Sequence, residues 1–176
     1  AAVLVLESED RARARGARIY GEIAGFGMSS DAGHITQPSE AGAAQAMEAA
    51  LRDASLAPER IGYINAHGTG TPANDPTETR AIHRVFGAHA GRLAVSSTKS
   101  MHGHTLGAAG ALELVATLLA LDHGVLPPTA NFIAPGEGCD LDYVPNAARQ
   151  AQAEAALSNS FAFGGLNAVL CVRRRR

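Results

Sequence analysis

The chain has 176 residues, 46% of them apolar, and a formal charge of −2, enough for one soluble domain over residues 1–176 with its own core. Fifteen basic against 17 acidic residues, with no basic stripe, exclude a nucleic-acid binder, and the one charge run, Arg173 to Arg176, reads as a solvated end. Two cysteines far apart in sequence, Cys139 and Cys171, make neither a disulfide framework nor a metal knuckle and fit a reducing, cytoplasmic compartment.

In chain order, Ala2 to Leu6 reads as a strand, with no initiator methionine or leader before it, as expected of a piece of something longer. Arg11 to Arg18 follows as a basic connection. Ile19 to Phe26 reads as a second strand, broken by Gly21 and Gly25, so that the two strands form a hairpin. From Ser39, the residues Ala43, Ala46, Met47, Ala50, Leu51 and Ala54 recur at helical spacing on one face. Ile61 to Ala66 is an apolar strand running into His67-Gly68-Thr69-Gly70-Thr71. Asp75-Pro76-Thr77-Glu78 predicts a helix start, with Asp75 as N-cap and Glu78 as its capping-box partner, and the helix ends near Gly87. A strand over Leu93–Ser97, a polar loop Thr98–His104 and a helix through Leu121 repeat that order. Two last strands, Ala156–Phe161 and Asn167–Val172, are joined by Gly164-Gly165. The alternation predicts an α/β sheet.

The Leu106–Leu121 helix is apolar or small almost throughout, with Glu113 its only charge, and is shorter than the roughly 20 residues of a membrane span. It is expected to be covered on both sides, by a layer from an absent half or another chain. Among seven histidines, His34, His83, His89 and His123 lack a glycine-rich neighbourhood and read as structural. His67 and His104 each follow a strand that opens into a loop of small residues, at the strand ends where α/β sheets bind ligands. A metal held by His102 and His104 is disfavoured by the nearby Lys99 and the lack of further ligands. Gly68 and Gly70 match neither phosphate-loop spacing. Cys139 sits among Glu137, Asp140 and Asp142, which oppose a thiolate, and Cys171 is expected to be packed in a strand. What remains is two histidines, a lysine and several hydroxyls, suited to stabilising charge that develops on a bound carbonyl.

INAHGTGTPAND (Ile64–Asp75), SSTKSMHGHTLGAAGALE (Ser96–Glu113) and NSFAFGG (Asn159–Gly165) resemble the elongating β-ketoacyl-acyl-carrier-protein synthases, and the resemblance spans essentially the whole chain. It implies an α/β fold, the C-terminal half of the thiolase-like architecture, with a mixed β-sheet and packed helices. The other half of that pseudo-duplicated αβαβα arrangement would lie outside this chain and carry the nucleophilic cysteine. It implies decarboxylative condensation, with His67 and His104 donating to the malonyl thioester carbonyl and Lys99 setting the electrostatics beside its buried partner Glu113. Thr69 and Thr71 would hold the pantetheine arm, while Phe163 would serve as gate and part of the oxyanion hole; Phe161 would only pack.

The resemblance implies no cofactor, the substrates riding on the phosphopantetheine of an acyl carrier protein. The implied partners are that carrier, the first half of the synthase and a second copy in a homodimer, with no membrane and no nucleic acid. Gly70 matches the polyketide-type enzymes and Ala162 replaces a common glycine, so the pathway, fatty acid or polyketide, stays open. A reading from another class is a non-catalytic partner subunit resembling a chain-length factor.

Overall fold

In the computed structural model, which describes residues 1–175, five strands form one mixed sheet. They are β1 (Glu22–Ser30), β2 (Ile61–Asn65), β3 (Ala94–Ser96), β6 (Ala155–Ala162) and β7 (Leu166–Arg173), in the order β1-β7-β6-β2-β3. β2 runs parallel to both β3 and β6, whereas β7 is antiparallel to β6 and to β1. A two-stranded ribbon, β4 (Val125–Leu126) with β5 (Arg149–Gln150), lies outside the sheet.

Helices α2 (Glu40–Asp53) and α3 (Asn74–Phe86) cover one face. Ala43, Met47, Ala50, Ile82 and Phe86 bury there against Ile64, Leu157 and Val169. Ser39 caps α2 by accepting from Gly42 N–H. Gly25 and Gly27 do not break β1 but let α2 approach, since a Cβ at Gly27 would sit 2.0 Å from Ala46 O. The opposite face receives α5 (Ala109–His123). Leu114, Ala120 and Leu121 pack there on Tyr63, Ala156 and Val172. Leu106–His123 has a mean hydropathy of 1.4, apolar enough by composition for a membrane span. Here its inner side instead meets the sheet and carries the ion-paired Glu113.

The structure corrects the sequence at four places. Ala2–Leu6 forms no strand: Val3 and Val5 are 91% and 84% exposed, and α1 (Glu9–Ala14) occupies the basic connection. β1 pairs instead with β7, from Glu22↔Arg173 to Ser30↔Leu166, and stands at the edge of the sheet with no strand on its outer side among the described residues. Asp75 does not cap α3, whose N-cap position is Ala73; its carboxylate accepts from Gly70 N–H and Asn74 Nδ2 instead. The loop after β3 contains a short helix, α4 (Lys99–His102), and a 3₁₀ turn at Leu106–Ala108 delays α5. The arginine tail is engaged rather than solvated: Arg173 donates to Ala54 O, Arg174 to Gln152, and Arg175 pairs with Glu9, while Arg176 lies outside the described residues.

Candidate active site

Asn65 at the end of β2 is paired with Ser96 at the end of β3. The two parallel strands therefore release their loops side by side at one sheet edge. The rings of His67 and His104 meet edge to face there, 5.4 Å between centroids. Phe161 on β6 lies against His67 at 5.8 Å. Beneath them, Lys99 Nζ donates to Glu113 Oε1 in an ion pair whose side chains are 4% and 1% exposed. Burial pushes the Glu113 carboxyl up from the ordinary range, and the Lys99 ammonium pulls it partly back.

Desolvation first, then the charge of Lys99, then His104, drive the His67 pKa down to about 3, so this imidazole is neutral at pH 7. His104 is exposed, and desolvation and Lys99 lower its pKa as well. Leu106 N–H donates to His104 Nδ1 at 3.3 Å. A neutral His104 must then carry its proton on Nε2, which makes that atom a donor. His67 Nδ1, by contrast, has no hydrogen-bond partner among the described residues.

A cleft of about 1060 Å³ opens at this edge, lined among others by Thr69, Thr71, Lys99, His104 and Phe132. The hydroxyls of Thr69 and Thr71 are 3.0 Å apart. Phe163 lies away from that lining, 78% exposed in the turn between β6 and β7. His102 is occupied at both nitrogens, by Thr98 Oγ1 and Gly103 O. His83 pairs with Asp140 and His89 with Ile61 O, away from the cleft lining. Cys171 is buried, and burial pushes its thiol up to about 11.

Three polar residues missed by the sequence reading hold this site together. Asn65 Nδ2 donates to Glu113 O and Thr117 Oγ1, tying the end of β2 to α5. Glu78, only 4% exposed, accepts from the backbone of His67 and Gly68. Asn159 Nδ2 donates to the same carboxylate. Each had a signal: Glu78 lies four residues before the buried Ile82, and Asn65 and Asn159 stand in strands at positions whose neighbours two residues away are core.

The family described as "Beta-ketoacyl synthase, C-terminal domain" matches residues 20–133. The chain belongs to the β-ketoacyl synthase family. It is 57% identical over 176 residues to 3-oxoacyl-[acyl-carrier-protein] synthase 2 of Coxiella burnetii, covering 99% of this chain and 42% of that protein. It is 55% identical over 174 residues to nodulation protein E of Rhizobium sp. (strain N33), covering 99% of this chain and 43% of the relative. The β-ketoacyl synthase chain thus spans about two fifths of the curated relatives it matches. Among solved structures it resembles the ishigamide ketosynthase/chain length factor, with TM-score 0.93 and 46% identity over 97% of this chain and 42% of that one. A ketosynthase described as a type II PKS acyl-carrier protein in complex with its ketosynthase bound to the hexaketide gives TM-score 0.94 at 38% identity, covering 97% of this chain and 42% of that one. The fold is thiolase-like, as the motifs implied.

Proposed function

We propose that this chain supplies the carbanion-forming part of a 3-oxoacyl-acyl-carrier-protein synthase, an acyltransferase that condenses a malonyl-carrier with an acyl-enzyme thioester. The observation that carries the reading is the meeting of two imidazoles, at least one of them firmly neutral, above a buried Lys99–Glu113 pair. The malonyl thioester carbonyl accepts hydrogen bonds from His67 and from His104 Nε2. When the bond to the carboxylate breaks and carbon dioxide leaves, the electron pair moves onto that oxygen, and the donors stabilise the enolate more than the uncharged thioester carbonyl. The enolate carbon then attacks the carbonyl of the acyl thioester, and as the new carbon–carbon bond forms the acyl carbon–sulfur bond breaks and the cysteine of the first half leaves as thiolate. Lys99 disfavours protonation of both rings and so keeps them as donors that do not surrender a full charge.

In this reading the nucleophilic cysteine comes from a first half, and the present chain alone is inert. Thr69 and Thr71 hold the pantetheine arm along the cleft, whereas the exposed position of Phe163, away from that lining in the turn between β6 and β7, gives its expected gate and oxyanion-hole roles no support in this chain. No cofactor is required, and the partners are an acyl carrier protein, the first half and a second copy of the enzyme in the cytoplasm. The surface around α5 supports a covering layer: Leu119, Phe26, Met28 and Leu166 are all exposed. The likeness to the ishigamide ketosynthase/chain length factor keeps the non-catalytic alternative in view, but the joint presence of His67, Lys99 and His104 in one site favours the enzyme.

In the chain joined to its first half, His67→Ala or His104→Ala is expected to lower malonyl decarboxylation by about 10²-fold or more. Unchanged carbon dioxide release would refute these roles. The isolated chain, incubated with acyl-carrier and examined by mass spectrometry, should form no thioester, and an acyl group on Cys139 or Cys171 would contradict the division of labour.

A further inference from the structure

We infer that His102 is a positioning residue: with a proton on both ring nitrogens it fixes the Thr98 hydroxyl, and through it the Asn65 amide, and so ties the two histidine loops to each other. The inference rests on the proposed roles of His67 and His104.

His102 ends α4, exposed and outside the cleft lining, and its ring folds back one turn over Thr98. Nε2 lies 3.0 Å from Thr98 Oγ1 and Nδ1 lies 2.8 Å from Gly103 O. The next links are buried. Thr98 Oγ1 donates to Asn65 Oδ1 at 3.5 Å, and Asn65 Nδ2 donates to Glu113 O and Thr117 Oγ1, each at 3.2 Å. Thr117 closes the chain on Glu113 O at 2.7 Å. Asn65 stands two residues before His67, and His102 two residues before His104. Side chains alone therefore run from one histidine loop to the other, around the Lys99–Glu113 pair.

The proton count decides the state of the ring. Gly103 O and Glu113 O can only accept. The first puts a proton on His102 Nδ1, and the second turns the NH₂ end of Asn65 toward α5. Thr98 has a single hydroxyl proton. If His102 Nε2 is bare, that proton goes to it, and the fully buried Asn65 loses the one donor to its Oδ1 among the described residues, a costly loss. Asn65 Nδ2, 3.4 Å from Thr98 Oγ1, must then divide two protons among three acceptors. If Nε2 is protonated it donates to Thr98, whose own proton is free for Asn65 Oδ1, and every group is satisfied. The charged groups around the ring are Lys99 on its own turn, which opposes the second proton, and Glu113 on α5, which favours it. Burial pushes the Glu113 carboxyl up, Lys99 pulls it back, and the charge of His102 adds to that pull. The nearby rings of His104 and His67 are both held below the ordinary histidine range by desolvation and Lys99.

Malonyl decarboxylation by the full-length protein, followed across the histidine range of pH, tests this with two variants. His102→Gln keeps a donor for Thr98 at every pH, whereas His102→Met fills the space without one. A displacement of about 1 Å at a reacting group can cost on the order of 10²-fold in rate. His102 acts through two intervening side chains, so at the acid end His102→Met is expected to lower kcat about 10-fold with KM little changed, and His102→Gln to stay within about threefold of the parent. The parent rate divided by the His102→Gln rate cancels the titration of His67 and His104. It should fall as pH rises, because only the parent loses its donor. Adding His102→Met to Thr98→Ala should cost nothing further, since one chain is cut twice; if Thr98→Ala does not fold, the comparison of His102→Gln with His102→Met decides. Parent-level kcat in His102→Met, equal loss in both variants, a ratio indifferent to pH or an additive double variant overturns the inference. His67→Ala run alongside separates the two levels: normal decarboxylation there defeats the proposed reaction, whereas impairment there with His102→Met at the parent rate defeats only the positioning role.

Discussion

The two histidine loops leave neighbouring parallel strands at the same level of the sheet, yet they are built in opposite ways. The loop after β2 starts buried: His67 is 8% exposed, its backbone N–H is held by Glu78, and its ring packs on Phe161. The loop after β3 is open: His104 is exposed, its backbone turns through Leu106 at φ +51°, and its ring is oriented by one N–H. Between them Lys99 acts on both rings. The difference teaches that one donor is fixed by the core of this chain, while the other stands where a substrate or a covering layer can reach it.

The sharpest way to break the comparison is to remove the cation the loops share. Lys99→Met leaves the Glu113 carboxylate buried without its partner and is expected to cost about 3–5 kcal/mol, measured by urea unfolding. The double variant Lys99→Met with Glu113→Met should recover most of that stability and none of the decarboxylation, which separates the structural from the electrostatic role of the pair.

Acid sensitivity gives the next largest effect. The folded pKa of His67 is depressed to about 3, below the ordinary value of about 6.5. The unfolded chain therefore binds a proton that the folded one refuses. The contribution is fully present above about pH 6.5 and is lost as pH falls toward 3, at up to about 1.4 kcal/mol per pH unit. Glu78 and Glu113, raised in the fold, act with the opposite sign, losing stability as pH rises through their folded values. The difference between the parent and His67→Asn isolates the histidine: the variant should show a flatter acid limb, and His104→Asn, on the open loop, should change it less. Equal flattening by both would erase the contrast between the loops.

The smallest effect concerns the open turn. Leu106 is exposed and has a positive φ that favours glycine, so Leu106→Gly should gain up to about 1 kcal/mol in thermal unfolding. The same change loosens the N–H that orients His104, so the rate should fall modestly as stability rises. A faster enzyme would mean that this turn does not orient the ring.

Much of this could be read from residues in order. Helical spacing after Ser39, the apolar strand before His67 and the lone acid in an apolar helix each describe a local balance of propensity and burial, and α2, β2 and the Lys99–Glu113 pair follow them. The opening run Ala2–Leu6 misled for the same reason: a short apolar run marks a strand-like segment but does not say that it will pair, and here the outer edge of β1 carries no partner strand among the described residues. Asp75 misled because a cap and a loop-bracing carboxylate share the same local sequence, and only the position of Gly70 N–H distinguishes them.

Sequence alone therefore determined the α/β alternation, the family motifs and the residue types able to stabilise an enolate, since these depend on near neighbours and spacing. Tertiary structure alone decided that His67 and His104 touch, that Glu78 turns inward beneath His67 with Asn159 beside it, and that Phe163 stands at an exposed tip. Those outcomes hang on hydrogen bonds between groups many residues apart, such as the 81 between Glu78 and Asn159, and such bonds exist only once the sheet order has brought β6 beside β2.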